Sequence, residues 1–487
     1  MSQGSTSLHY AIRPAVVGRH LGQLSFLLAM LTLVPLGVSL YFAETEISLR
    51  YALVIATALL FAVGMRRVPL SSNLQVNEAL AIAALAFILA PLLMSLPMMA
   101  SGLSWVDAFF EAMSAITTTG LSMHPATEAL PRSFLFSRAW MQWYGGLGIV
   151  VLSLALLMGH EMGARRLSDS SGLGGLETSA HEHARRTALV YVVLTVLGIA
   201  MVWPLSGNLF HALTHVFAAI STGGFSSWED GLAGVDSWAL RLAIMFVCLL
   251  GAVPFVLYYR ATHGGLRASL GDLELRTLLL FSLMVTGILT VTLHTEQNFA
   301  WLPAAGHALV LGVSAQTTAG FSSLEVATLE PLSKLVLIIS MTIGGGLGST
   351  AGGFKILRLL ILMRLVQVMV QRAAMPPHAV LPVRLGGHAL SDSDIQRALM
   401  LILLFVAIIA LSWLPFLAYG YAPLDALFEV VSATATVGLS AGITSTDLPI
   451  LLKSVLMLDM LLGRLEIIAL LVVLYPPSWL GHRSQNT

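Results

Sequence analysis

Four stretches of this chain carry one pattern: SAITTTGLS (114–122), AAISTGGFS (218–226), SAQTTAGFS (314–322) and SATATVGLS (432–440). Each reads Thr, any residue, Gly, an apolar residue, Ser. This aligns Thr118, Thr222, Thr318 and Thr436, and then Gly120, Gly224, Gly320 and Gly438. The register continues upstream without a gap. Thirteen residues before the glycines stand Asp107, His211, His307 and Asp425, each followed by Ala; nine before stand Glu111, His215, Leu311 and Glu429. Four copies of one polar loop in a very apolar chain predict four loops around one axis. A ring of backbone carbonyls on an axis is how proteins strip water from a potassium ion.

Composition sets the surroundings of those loops. Of 487 residues 57% are hydrophobic and 10% charged, with a mean hydropathy of +0.85. A soluble domain carries about 25% charged residues, so the chain reads as an integral membrane protein with many spans. Its formal net charge is zero, which leaves no basic footprint for nucleic acid. The one cysteine, Cys248, rules out an internal disulfide and reads as a small packed hydrophobe. The first apolar run, 21–43, has the length of a full span rather than of a signal-peptide core.

A span needs about 20 apolar residues. Ten candidates follow: 21–43, 50–65, 78–100, 138–159, 187–209, 239–260, 275–294, 334–370, 397–420 and 451–475. The second is short and needs its flanks. The eighth is too long and is interrupted by GGGLGSTAGG (344–353), whose freed backbone must face protein or a water-filled cavity. Each Gly loop lies between two spans and follows a 10–14-residue apolar stretch, such as 105–116 or 424–435, that suits a re-entrant half-helix. The expected fold is therefore an all-α polytopic membrane protein with ten transmembrane helices and four re-entrant pore loops in fourfold pseudo-symmetry. Its units are an N-terminal two-helix hairpin (1–77) and four helix–half-helix–helix repeats: 78–160, 161–262 with its preceding cytoplasmic loop, 263–372 with the broken helix, and 373–487.

With the N-terminus in the cytoplasm, 16 Arg fall on the cytoplasmic side and six Arg or Lys (Arg50, Arg132, Arg138, Arg241, Lys334, Lys453) outside, as the positive-inside rule requires. Both termini are then cytoplasmic and all four loops open outward, beside carboxylates such as Glu44, Asp230 and Glu325. Residues 160–186 read as a mobile polar loop and 373–396, with Pro376, Pro377 and Pro382, as a linker; both face the side where a soluble regulator would dock. His181 and His183, two apart in a polar loop, read as solvated rather than as metal ligands.

The loop chemistry suits a cation. Glycine allows the required backbone angles at little steric cost. The threonine before it can offer a hydroxyl ligand or bond the loop into shape. Each half-helix points its carboxyl end, the negative end of its dipole, at the centre. Asp107, Glu111, Asp425 and Glu429 would sit nearer the outer start of those helices. Close packing of small residues is the plain alternative, but four loops in aligned register argue for a shared axis.

These loops, together with GGGLGSTAGGFK (344–355), SRAWMQWYGGLGIVVL (137–152) and LLGRLEIIALLVVL (461–474), resemble the Trk/Ktr/HKT superfamily of potassium transporters over most of the chain. The ten-span length is similar to its TrkH-like members, whereas TATVGLSAGIT (434–444) is closer in character to KtrB. The resemblance implies a homodimer in the bacterial cytoplasmic (inner) membrane, each subunit with its own pore. It implies a K+ filter of Thr118, Thr119 and Gly120; Thr222, Gly223 and Gly224; Thr318, Ala319 and Gly320; and Thr436, Val437 and Gly438. Potassium is then the transported ion and the only metal, held at these residues, with no covalent cofactor. Gly120, where sodium-admitting relatives often carry Ser, favours potassium. A TrkA-like cytosolic Rossmann-fold ring is implied as the regulatory partner, and nucleotide would act only through it. SGLGGLE (171–177) is no nucleotide loop, because no strand precedes it.

Arg464, near the middle of the last span, costs about 2.5–3.5 kcal/mol on insertion scales if left alone. Neither Asp459 nor Glu466 lies three or four residues away, the spacing of a same-helix pair. The family places this Arg in the pore below the filter. Gly344, Gly345, Gly346, Gly348, Ser349, Thr350, Gly352 and Gly353, with Lys355 beyond, would lie across the same passage, so the loop and the arginine read as a gate. The plain alternative is an ion pair that only fixes packing. A proton- or sodium-coupled cation transporter with broken helices is the rival function, although such folds use two inverted repeats and this chain has four copies in one orientation. A membrane enzyme would need a nucleophile–base pair, a metal cluster or paired carboxylates. His211 and His215 instead occupy the repeat-anchor positions of Asp107 and Glu111.

Overall fold

Apolar segments that meet lipid must satisfy their own backbone, and helices do this within one segment. A computed structural model describes residues 11–69, 74–124, 130–158, 179–228, 230–376, 378 and 381–480. In chain order the helices are α1 (Pro14–Tyr41), α2 (Thr45–Met65), α3 (Val76–Met98), α4 (Trp105–Ile116), α5 (Arg132–Met158), α6 (Ser179–Ser206), α7 (Leu209–Ile220), α8 (Trp238–Ala252), α9 (Phe255–Gly264), α10 (Leu266–Leu270), α11 (Leu273–Glu296), α12 (Trp301–Thr317), α13 (Pro331–Ile343), α14 (Ile356–Ala373), α15 (Asp392–Ala418), α16 (Pro423–Thr434), α17 (Ile450–Arg464), α18 (Ile468–Leu474) and α19 (Pro477–Leu480). Between α14 and α15 lies a two-stranded antiparallel ladder, β1 (Arg384–Leu385) on β2 (His388–Ala389), inside the expected linker. The expected polar loop 160–186 falls mostly on residues 159–178, outside the described residues, as do the side chains of His181 and His183.

Among the described residues six helices are long and apolar enough to cross a membrane: α1, α2, α3, α6, α11 and α15. Outward-facing Leu280, Leu283, Leu403 and Leu411 are exposed on α11 and α15, as expected of surfaces solvated by hydrocarbon. The short second run gains its flank, since α2 starts at Thr45 and reaches 21 residues.

Three expected spans differ from a single helix. The sixth bends by 89° between α8 and the helix after it, because Pro254 cannot continue the ladder. The eighth is α13 and α14, separated by residues 344–355. The tenth breaks between α17 and α18, where Glu466 and Ile467 take φ of 53° and 66°. A β-branched residue at positive φ is an outlier.

The short helices α4, α7, α12 and α16, of 12, 12, 17 and 12 residues, are each flanked by the helix before and the helix after in their repeat. Ser104 and Asn208 cap the first two, their side-chain oxygens accepting from Asp107 N and Phe210 N. The repeats join in one direction: α5 packs on α7, α8 on α12, α13 on α16, and α17 back on α4. Four such steps close a circle. The α1–α2 hairpin packs outside it, against α3 and α5. The two ends of the described chain meet, with Ile12 N donating to Ser478 O at 2.8 Å, and Arg13 pairs with the buried Glu78 at 2.6 Å.

Candidate functional site at the centre of the four repeats

Each short helix ends at the centre of the circle, and the chain then turns in the same way four times. Thr118, Thr222, Thr318 and Thr436 adopt φ of 54°, 52°, 56° and 52°. A non-glycine residue in this region is strained by roughly 1–3 kcal/mol. The following residue donates its N–H back to the last turn of its helix: Thr119 to Ser114 O, Gly223 to Ala218 O, Ala319 to Ser314 O and Val437 to Ser432 O, at 2.8–2.9 Å. Gly120, Gly224, Gly320 and Gly438 then take φ of 93°, 77°, 76° and 93°.

The contacts between quarters close on themselves. A Cβ placed on Gly120 would collide with the carbonyl oxygen of Gly223, one on Gly224 with that of Ala319, one on Gly320 with that of Val437, and one on Gly438 with that of Thr119. Segments 118–120, 222–224, 318–320 and 436–438 therefore form one ring. Its threonines, with Gly223, Ala319 and Val437, are buried, while Gly120, Gly224, Gly320 and Gly438 remain partly exposed. The expected residues are thus brought together, with no space for a side chain at the four glycine positions.

Polar side chains hold the ring from outside. Glu111 accepts from Ser122 Oγ (3.0 Å), Met123 N (2.9 Å) and Arg138 Nη1 (2.7 Å). Glu429 repeats this with Ser440 Oγ (2.9 Å), Ala441 N (2.9 Å) and Thr444 N (3.1 Å). In the second repeat His215 Nε2 meets Ser226 Oγ at 2.9 Å. Four residues earlier in each short helix, Asp107 pairs with Lys453 (2.5 Å) and Asp425 with Lys334 (2.7 Å), each lysine coming from the preceding repeat. At the equivalent places His211 and His307 bond Ser227 and Ser323 of their own loops.

Residues 344–355 lie directly beneath the ring. Thr350 Oγ1 donates to Ile220 O (2.9 Å), at the end of α7. Gly352 N donates to Thr318 Oγ1 (2.6 Å) and Gly353 N to Ala435 O (3.2 Å). The loop also takes carbonyls freed by the bend after α8, with Gly346 N on Ala252 O and Thr350 N on Gly251 O, both at 3.1 Å. Glu274 of α11 accepts from Leu347 N (2.7 Å), and Ser349 Oγ donates to Gly346 O (2.6 Å). The fold-back brings Gly344 against Gly352 and Gly345 against Ala351, while Gly348 takes φ of 76°. Lys355 caps the loop through the Ala351 carbonyl. Arg464 Nη1 donates to Thr350 O (2.7 Å); its Nε and Nη2 are buried without a partner among the described residues. Glu466 pairs instead with Arg358 at 2.5 Å. Arg464 is therefore held by the loop and not by a carboxylate.

The TrkH family, described as a cation transport protein, matches residues 50–478 of this sequence. The chain belongs to the TrkH family. An uncharacterized cation transporter of Methanocaldococcus jannaschii is 30% identical over 93% of this chain and 94% of its own length. The Trk system potassium uptake protein TrkH of Halomonas elongata is 31% identical over 95% and 98%, and that of Escherichia coli K12 31% over 77% and 80%. The crystal structure of the potassium transporter TrkH from Vibrio parahaemolyticus superposes with a TM-score of 0.86 at 27% identity, covering 96% of this chain and all of that one. Family and fold are those of an integral membrane transporter and not of an enzyme.

Several residues of this TrkH-family site escape a reading of the sequence. Gln142 fills the space that Gly223 leaves, donating to its carbonyl and accepting from Phe225 N. Gly145, Gly251 and Gly463 let the second helix of a repeat approach the last turn of its short helix, where a Cβ would strike the carbonyls of Ile116, Ile220 and Thr434. Their signal was a spacing of 25, 27 and 25 residues after the loop glycine. Removing one partner of a buried ion pair typically costs about 3–5 kcal/mol. Lys453→Met is accordingly expected to lower the unfolding temperature in detergent strongly, and adding Asp107→Asn to recover part of the loss. An unchanged temperature in the single variant would show that this pair does not tie repeats one and four together.

Proposed function

We propose that this chain is the pore-forming subunit of a bacterial potassium uptake system, carrying K+ down its electrochemical gradient. The observation that carries this reading is the closed ring of four loops in which each glycine abuts a carbonyl oxygen of the next quarter. Thr118, Thr119 and Gly120 and their equivalents would form the filter, with main-chain oxygens replacing the water of a cation. The carboxyl ends of α4, α7, α12 and α16 converge there, and each adds the negative end of a helix dipole, about half an elementary charge before screening. Relatives named as potassium uptake proteins and a potassium transporter of the same fold support the choice of ion.

The same reading places ten spans and four re-entrant loops in the inner membrane with both termini cytoplasmic, supported by the distribution of Arg and Lys and by the contact of Ile12 with Ser478 near the two ends of the described residues. Loop 344–353, with Lys355 and Arg464, would be the gate. It lies under the ring, and a fixed guanidinium on its underside opposes cation occupancy. The pore would act as a homodimer on a TrkA-like nucleotide-binding ring; relatives named as parts of a Trk system support partnership within such a system.

Expression in a host lacking potassium uptake, with and without a co-expressed regulatory ring, tests this directly. Growth at low potassium is the expected result, and failure to grow with the ring present contradicts it. In Gly120→Ser the side chain must displace the Gly223 carbonyl. Loss of one contact worth about 1–1.5 kcal/mol predicts a roughly five- to tenfold lower preference for K+ over Na+. For the gate, Arg464→Ala and a shortened 344–353 loop should each raise flux, and unchanged flux in both would remove that role.

A further inference from the structure

A cavity of about 150 Å³ lies between α1, α3 and α5. Leu21, Leu28 and Leu31 of α1, Phe87 and Ala90 of α3, and Ile116 at the end of α4 line it. Two lining residues among those described, Ser25 and Tyr144, carry hydroxyls, and neither hydroxyl serves the cavity. Ser25 Oγ donates to Leu21 O within its own helix at 2.8 Å. Tyr144 Oη is buried, without a partner among the described residues, while the residue as a whole is half-buried. Its ring therefore meets the open space and its hydroxyl does not. A void of this size lined by Leu, Ile and Phe stays dry and takes an apolar guest.

Its depth and its opening narrow the choice of guest. The lining falls at the middle of three long helices: residues 21–31 of α1, 86–90 of α3 and 144–148 of α5. That is the centre of the bilayer, about 15 Å from either headgroup region. Leu24 and Leu27, also on the wall, are 38% and 52% exposed, so the cavity opens on the lipid-facing side of α1. A glycine keeps it open. Gly145 is needed where α5 meets the Ile116 carbonyl, but a Cβ on Gly148 would find no atom within 4 Å. Glycine weakens a helix interior, and at Gly148 no close contact demands it; what it leaves is room in the cavity it lines.

We propose that this cavity binds the end of a lipid acyl chain, which enters past Leu24 and Leu27 and packs behind the first quarter of the ring. At the bilayer centre a lipid presents only its chain ends, so depth selects a chain over a headgroup. The wall offers no polar group that would favour an amphiphile's head. The chain supplies the dispersion contacts that a void denies to its lining. It rests on Ile116, the last residue of α4 and two residues before Thr118, so it braces the end of that short helix from the side away from the ring. The outer wall is α1, which packs against α3 and α5. The N-terminal hairpin, which lies outside the fourfold repeat, thereby acquires a ligand-binding role that does not depend on which ion passes through the ring.

The test places the full-length chain in phospholipid vesicles containing a phosphatidylcholine with a diazirine at the end of one acyl chain. On illumination the diazirine loses N2 and the carbene inserts into a neighbouring C–H bond, and mass spectrometry of peptides locates the adducts. Leu28, Phe87 and Ile116 are buried, so lipid passing over the surface does not reach them, whereas Leu280 and Leu403 face it. The first three should be labelled more than the last two by about fivefold, a preference of about 1 kcal/mol. A diazirine beside the ester should lose that excess. Gly148→Leu and, separately, Ala86→Leu fill the cavity and should bring its labelling down to the level of Leu280 and Leu403, whose own labelling stays constant and reports an intact fold. Labelling of Leu28, Phe87 and Ile116 that is no higher than at the exposed leucines, or that persists in both filled variants, overturns the proposal. So does labelling confined to Leu24 and Leu27, the result expected if a second copy of the chain or a small molecule fills the cavity.

Discussion

Backbone meets backbone across four quarters at the centre of this protein, and that approach tolerates no side chain at Gly120, Gly224, Gly320 or Gly438. Much of the surrounding architecture makes the approach possible. Short helices bring each loop in from outside, the four threonines turn the chain in the left-handed region, and the next residue bonds back to its own helix end. Outside the ring, Gln142 occupies the volume left by Gly223. Glycines on α5, α8 and α17 bring the flanking helices against the ends of α4, α7 and α16. In hydrocarbon, where apolar burial gives helices little reason to associate, small residues and interhelical polar contacts supply the attraction.

The quarters are equivalent in backbone but not in anchoring. Carboxylates secure the first and fourth loops, through Glu111 and Glu429, and receive lysines from the preceding repeats at Asp107 and Asp425. Histidines take both places in the second repeat and the outer place in the third, where Leu311 takes the other, and they bond serines within their own loops. The second helix is interrupted in the second, third and fourth repeats, and the interruption is longest in the third. Its chain breaks after α13 and runs beneath the ring, tied to the ends of the second and fourth short helices and to Thr318 of the third. One broken helix thereby reaches three of the four quarters.

How much of this was legible depends on how each feature is encoded. The four loops declared themselves because glycine is needed at each quarter and the flanking Thr and Ser recur at fixed offsets. The loop after α13 did so because a glycine run cannot remain helical in lipid. The half-helix 105–116 could be bounded because its apolar run is too short to cross. Contacts between distant segments left little trace. Asp107 and Lys453 lie 346 residues apart, and nothing near either names the other. Arg464 pointed to a partner without identifying it: the two nearby carboxylates were poor geometric choices, and the partner is the carbonyl of Thr350, an atom that every residue carries. The bend after α8 was hidden because Pro254 interrupts an apolar run without changing its composition. The role of Gly145, Gly251 and Gly463 required knowing which helix end they face.

The central claim is that a cation is held on the axis of this ring by main-chain oxygens. Diffraction from crystals grown with thallium or rubidium in place of potassium, with data at the absorption edge, tests it most directly. The account predicts an anomalous peak on the axis, among the carbonyls of Thr119, Gly223, Ala319 and Val437, which disappears when the ion is exchanged for choline. A ring without a peak, alongside ordered ions elsewhere in the membrane-embedded part, would contradict it.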